Sequence, residues 1–295
     1  MKKPIISITN LEKSYQSQPV LKSLNWQVEP GDIVALLGRN GAGKSTLLES
    51  IMNLRQVNKG EISLWGQNWS ALPQSQREKL AFVSQDTSGF EWMRVKDFLT
   101  YLGGFFPSWD KLYCEQLQSR WNLNPLKRVG ELSGGQAQIM HVIQALSVKP
   151  ELMILDEPVA HLDPNMRRQF LAELIELSCE HNSTVIFSSH IVSDLERVAN
   201  KVALLMDGCI AHYYDVEELK SSIAHVKFSS HSPLQQSPEF AEFINWRPMA
   251  QGATATIAKP LNQSLEEFKS NCSHPIETMP MSLEDWYLEI SHASH

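Results

Sequence analysis

Gly38-Arg39-Asn40-Gly41-Ala42-Gly43-Lys44-Ser45 stands between a short apolar run, Ile33–Leu37, and an amphipathic stretch from Lys44 to about Leu54. The run is apolar at every position, as a strand buried on both faces must be. The stretch that follows sets Leu47, Leu48, Ile51 and Met52 along one stripe of a helix. Strand, glycine-rich turn and helix in that order are the context that GxxxxGK(S/T) needs to act as a phosphate-binding loop. Glycines let the backbone curl until successive N–H groups face an anion, and the helix N-terminus adds partial positive charge. Lys44 is then expected to reach the β- and γ-phosphates of a nucleotide, and the Ser45 hydroxyl to ligate Mg²⁺.

A second apolar run, Leu152-Met153-Ile154-Leu155, ends in Asp156-Glu157. A carboxylate at the carboxyl end of a buried parallel strand, beside a phosphate loop, is placed to hold Mg²⁺. Neighbouring residues on a strand point to opposite sides, so the pair divides its work. Asp156 is assigned to the metal, and Glu157 to taking a proton from the attacking water.

Between these two lies Leu132-Ser133-Gly134-Gly135-Gln136, a second potential anion cradle ahead of a different helix. Here the chain resembles the ATP-binding-cassette (ABC) family, whose signature is LSGGQ. The resemblance implies that Ser133, Gly134, Gly135 and Gln136 contact the nucleotide of another subunit. Each ATP would then be sandwiched between one chain's phosphate loop (Gly38 through Lys44, Ser45 and Thr46) and its partner's signature. It implies further roles in order along the chain. Tyr15 would stack on adenine, Gln85 would sense Mg²⁺ and the γ-phosphate, Leu162-Asp163 would cross the dimer interface, and His190 would be the switch histidine. Lys44, Gln85, Glu157 and His190 form the catalytic set, and Ser45, Gln85 and Asp156 the metal set. The chain departs from the family at Ala137-Gln138-Ile139-Met140-His141, where an Arg-rich run is common, and at Val159-Ala160-His161.

The implied fold is α/β, a P-loop ATPase with an antiparallel β subdomain and a helical signature subdomain at about 86–150. Residues 6–31 alternate as half-buried antiparallel strands do, with Leu24, Trp26 and Val28 on one side. Thr184–Phe187 reads as another buried strand, and Val202–Met206 with Cys209–Tyr214 as a hairpin through Asp207-Gly208. After about residue 222 the composition shifts to SSHSPLQQSPEF, and Ser229–Ser237 reads as a linker or loop. The nucleotide-binding domain is therefore assigned to 1–222 and a small α+β accessory domain to 223–295. The latter carries a strand at Ala253–Ala258 and helices near 262–270 and 282–290.

The bulk composition narrows the function. Hydrophobic residues make up 42%, and 26 Lys+Arg stand against 33 Asp+Glu for a net charge of −7, a poor match to a nucleic-acid surface. Cys114, Cys179, Cys209 and Cys272 form no CxxC pair and are read as free thiols of a reducing compartment. No apolar window reaches the ~18 residues of a spanning helix. The expectation is an ATPase peripheral on the cytoplasmic face of the membrane, paired with a second nucleotide-binding subunit and with integral membrane transporter subunits. Met281-Ser282-Leu283-Glu284-Asp285-Trp286-Tyr287-Leu288 resembles the SLEDxFL ending of export-type relatives, which implies export. DNA-repair relatives need a long coiled coil between the two motif halves, and no heptads occur there; translation-factor relatives carry two cassettes. A non-hydrolysing interaction module would lack the reason for Glu157.

Overall fold

In the computed structural model the alternation at residues 6–31 becomes two long strands, β1 (Ile6–Tyr15) and β2 (Gln18–Val28), paired antiparallel with Ile8 opposite Trp26. The structure is described for residues 3–85, 89–160, 162–189, 192, 196–236, 240, 243–260, 268–270, 272 and 274–293. With β4 (Lys59–Leu64) and β5 (Gln67–Asn68), the first two strands make a sheet in the order β2-β1-β4-β5. Their inward side chains, among them Ile6, Ile8, Leu24 and Val28, join one core with residues of the second sheet.

That second sheet runs β10-β9-β3-β8-β7-β6, with β3 (Ile33–Leu37) between β8 (Thr184–Ser188) and β9 (Lys201–Met206). β6 (Leu80–Val83), β7 (Leu152–Leu155), β8, β3 and β9 pair in parallel, so their carboxyl ends emerge along one edge. β9 turns through Asp207 (φ 51°) and Gly208 (φ 83°) into β10 (Cys209–Asp215), the two positive φ angles that a tight hairpin turn demands. Leu36 and Leu37 of β3 and Leu47 and Leu48 of the following helix are fully buried. Trimming any of these leucines to alanine costs about 2–5 kcal/mol in comparable cores.

That helix, α1, spans Lys44–Ile51. It stops short of the expected Leu54 because Asn53 takes a left-handed conformation (φ 55°) and Leu54 faces solvent. After a short α2 (Gln74–Arg77), the segment before β7 is helical as read: α3 (Val95–Gly103), α4 (Lys111–Arg120) and α5 (Gly134–Ser147). α6 (Pro164–His181) starts with proline at its first position and Asp163 as cap, whose Oδ1 accepts from the N–H groups of Asn165 and Met166. Asp163, read as an interface residue, thus has a structural task within its own chain. Glu173 of α6, only 3% exposed, accepts from the Tyr113 hydroxyl at 2.7 Å and is ion-paired to Arg120, tying α4 to α6. Burial pushes the Tyr113 hydroxyl up to about 12, so it stays a donor.

The chain divides into two compact units, Met1–Tyr213 and Tyr214–His295. The division falls earlier than 222/223, and the helix Val216–Ser222, capped by Asp215, counts with the second unit. Within that unit β11 (Ala224–Ser229), β12 (Ile244–Met249), β13 (Gly252–Ile257) and β14 (Ile276–Pro280) form an antiparallel sheet in the order β12-β13-β11-β14. Val226, Phe228, Ala253 and Ala255 bury one face against Phe240 and Phe243. The stretch read as a linker or loop, Ser229–Ser237, has no helix or strand at residues 230–236, and its Leu234 lies against the cluster to which Phe240 belongs. Of the helix expected at 262–270 only 268–270 fall within the described residues. The C-terminal helix, expected at 282–290, spans Leu283–Ala293. Its Trp286 is wholly buried and donates its indole N–H to the Ala258 carbonyl at 2.6 Å.

Candidate functional site

The aligned strand ends converge on one cleft. Gly38 follows β3, Gln85 follows β6, Asp156 and Glu157 follow β7, and Ser188 closes β8. A cavity of about 490 Å³ is lined by Tyr15, Asn40, Gly41, Gly43, Lys44, Ser45, Thr46, Gln85, Asp156 and Glu157, with Val20 beside them. This brings together most of the residues picked out along the sequence, from elements up to 142 positions apart (157 − 15).

Gly43 shows why the loop is glycine-rich. It sits at φ 103°, and a Cβ there would lie 2.8 Å from Val20 Cγ1 and 3.3 Å from Leu21 Cδ2. Any side chain is therefore refused on both conformation and space. Lys44, next in line and 7% exposed, donates to the carbonyl of Gly38 at 2.8 Å and lies 4.0 Å from Glu157 Oε1. Burial lowers the Lys44 pKa, and the charges of Glu157 and Asp156 oppose that shift. Tyr15 stands 39% exposed at the rim, its hydroxyl 3.3 Å from Thr46 Oγ1 and the Lys13 ammonium 5.0 Å over its ring.

Asp156 and Glu157 are both buried, and Glu157 adopts a left-handed backbone (φ 50°), unusual for a residue with a long side chain. One hydroxyl fixes the pair: the Glu157 N–H donates to Ser188 Oγ at 2.8 Å, and Ser188 Oγ donates to Asp156 Oδ1 at 2.7 Å. Ser188 escaped the sequence reading. The signal was available, since a fully buried strand that ends in Ser188-Ser189 rather than an apolar residue has a polar task at its tip.

Ser45, Asp156 and Gln85 offer hydroxyl, carboxylate and amide oxygens in one cleft, the hard donors that suit Mg²⁺. Among the described residues no group of three His, Cys, Asp or Glu could hold a metal alone. Mg²⁺ is characteristically held by one or two carboxylates together with a nucleotide's phosphates.

The signature residues lie elsewhere. Ser133 caps α5 reciprocally with Gln136, each backbone N–H donating to the other's side chain at 3.3 Å, and Lys127 Nζ donates to Gln136 Oε1 at 3.1 Å. Ser133 and Gly134 are exposed, and none of Ser133, Gly134, Gly135 and Gln136 lines the cleft of Lys44. The phosphate-loop motif and the signature motif thus do not line one cavity within the chain. The departures at Gln138, Ile139 and Met140 are buried in the α5 packing. His190 and His161 lie outside the described residues.

Residues 21–160 match the family model described as ABC transporter. A shorter match over residues 128–193, to an AAA domain described as a putative AbiEii toxin of a type IV toxin–antitoxin system, includes the signature but not the phosphate loop. An uncharacterized ABC transporter ATP-binding protein of Bacillus subtilis (strain 168), YxlF, is 30% identical over 98% of this chain and all of its own length. The phosphonates import ATP-binding protein PhnC of Alcaligenes faecalis is 32% identical over 70% of this chain and 82% of its own. The ferric-ion import protein FbpC 2 of Haemophilus influenzae is 33% identical, over 70% and 60%. Among solved structures, the ATP-binding subunit of an ABC transporter superposes with a TM-score of 0.66 at 24% identity, covering 73% of this chain and 92% of that one. A dimeric ATP-binding cassette in a post-hydrolysis state with ADP and Pi gives 0.64 at 22% identity, covering 72% and 98%.

Proposed function

This chain belongs to the ABC transporter family as an ATP-binding, ATP-hydrolysing subunit, and from that premise we propose that two copies, or one copy and a paralogue, close head to tail over two ATP to drive integral membrane subunits. The observation that carries this reading is the pair of separated cradles: Lys44 in a cleft, Ser133 exposed on another helix. A nucleotide seated on the loop needs a second surface to enclose it, and a partner's signature is the surface of matching chemistry.

In this reading the loop N–H groups and Lys44 grip the phosphates while Tyr15 meets the base. Mg²⁺, held by Ser45, Asp156 and Gln85, would neutralise charge on the β- and γ-phosphates. The phosphates replace the loop carbonyls and Glu157 as partners of Lys44. Glu157 then accepts a proton from the attacking water, with its backbone pinned by Ser188. His190 is assigned the switch role on sequence order alone. The second unit supplies none of these residues and is assigned to regulation.

No helix of the described residues is long and apolar enough to cross a membrane, so transport requires a partner within it. The helical segment offers a place for that partner. Trp92 (74% exposed), Phe105 (59%), Tyr101 and Phe90 stand at the surface, with Phe90, Tyr101 and Phe105 in successive ring contact at 6.0 and 5.2 Å. Exposed aromatic clusters of this kind mark interfaces, whereas Phe98 beneath them is core. Trp92→Ala is expected to abolish stimulation of ATPase by the membrane subunit in proteoliposomes and leave basal turnover unchanged. Full stimulation in the variant would remove this surface from the proposal.

The tail motif has a sufficient reason within its own unit, since Leu283 and Trp286 are buried there. Import proteins stand among the relatives. The proposal therefore covers the motor and leaves out the direction of transport.

A further inference from the structure

The sheet of the second unit buries one face and turns the other to a cavity of about 320 Å³, within the range of small-ligand sites. Strand alternation decides what lines it. Val226 and Phe228 of β11 and Ala253 and Ala255 of β13 point into the aromatic core, so His225, Lys227, Thr254 and Thr256 point the other way. The outermost strand would not place its cation beside them without a bulge. Ile244 pairs with Thr256 and Arg247 with Thr254, one residue more on β12 than on β13, and Asn245 takes φ 54° at the irregularity. Trp246 consequently stacks inward on Phe240 at 5.2 Å, while Arg247 stands on the outer face, across Thr254 from Lys227.

The two carboxylates near this cavity are engaged by other side chains. Asn245 holds the carboxylate of Glu289, the one acidic side chain among the described residues of the lining. Lys227 has a loose partner, Glu277 at 3.5 Å, both well exposed. Arg247 has no ion pair among the described residues. Thr256 is buried with its hydroxyl 3.5 Å from His225 Nδ1, and the Thr254 hydroxyl lies between the two cations in the pairing register. A guanidinium, an ammonium, two hydroxyls and an imidazole facing one cavity form a donor set for oxygen anions. Met279 contributes apolar wall.

We propose that this face of the second unit binds a small oxyanion-bearing molecule, a phosphate ester or an organic acid, with Arg247 and Lys227 as its principal contacts. The site shares no residue with the nucleotide cleft, and it gives the second unit the ligand that a regulatory part requires.

Isothermal titration of the full chain tests this with inorganic phosphate and citrate as separate probes, after Mg²⁺ and a non-hydrolysable ATP analogue have filled the phosphate loop. One site per chain is expected for at least one probe, and which probe binds decides between the phosphate and carboxylate sources. Arg247→Ala and Lys227→Ala should each weaken it about ten-fold or more, the scale of one charge-assisted hydrogen bond. Lys22→Ala, a cation of the first unit, should leave it unchanged. Arg247 is exposed and Lys227 on its strand nearly half so, and unchanged circular dichroism of the variants separates lost binding from lost folding. Absence of saturable heat with both probes, or equal affinity in wild type and both variants, would overturn the proposal.

Discussion

Glu157→Gln is expected to cut ATP turnover by roughly 10²–10⁴-fold, the span usual for losing a general base. The substitution keeps the side chain's length and its capacity to accept a hydrogen bond, and removes its ability to take a proton. The backbone that sets the residue in place does not depend on the carboxylate, because the Glu157 N–H is held by Ser188 Oγ at 2.8 Å and φ is already 50°. Geometry should therefore survive while chemistry fails. ATP affinity should persist, and light scattering with Mg²⁺ and ATP should show a species of twice the single-chain mass. Turnover near wild type in single-turnover kinetics would remove Glu157 from the mechanism.

Lys44→Ala is expected to lose more of the bound state. The ammonium is buried beside Glu157 and Asp156 and donates to the Gly38 carbonyl, so it is aimed at the loop's own centre, where phosphate oxygens belong. Removing one pre-set donor from a site of developing charge costs about 10²–10³-fold in rate, and here ground-state affinity goes with it. Fluorescent-nucleotide titration should show weakened binding as well as low turnover, which distinguishes this variant from Glu157→Gln. Wild-type affinity in Lys44→Ala would contradict the role given to the loop.

The nucleotide half was legible because its signals are local. Eight consecutive residues, Gly38 to Ser45, carry the turn, the charge and the hydroxyl, and the flanking strand and helix announce themselves by apolar pattern. Asp156-Glu157 and Ser133–Gln136 are equally compact. The link between Asp156 and Glu157 showed in the sequence only as a polar end to a buried strand, since Ser188 meets both because β8 lies beside β7 in the sheet. The second unit was read less well. β11 alternates cleanly at Ala224, Val226 and Phe228; the Ser- and His-rich stretch beside it reads as a linker or loop and has no helix or strand at residues 230–236, yet its Leu234 packs against the core, a contact that composition does not encode. β12 hid behind a bulge and a proline, Pro248, that break a strand's period. The helix α1 ended early because Asn53 adopts a left-handed turn that apolar periodicity does not encode.

The central claim, that the two separated cradles complete one another across a dimer, is tested most directly by mixing two inactive chains. Lys44→Ala spoils the phosphate loop and Ser133→Arg spoils the exposed signature, so a heterodimer of the two holds one composite site with both defects and one with neither. ATPase activity of the mixture should rise well above that of either variant alone, in proportion to the heterodimer formed. Proven heterodimers with no gain in activity would contradict the head-to-tail arrangement.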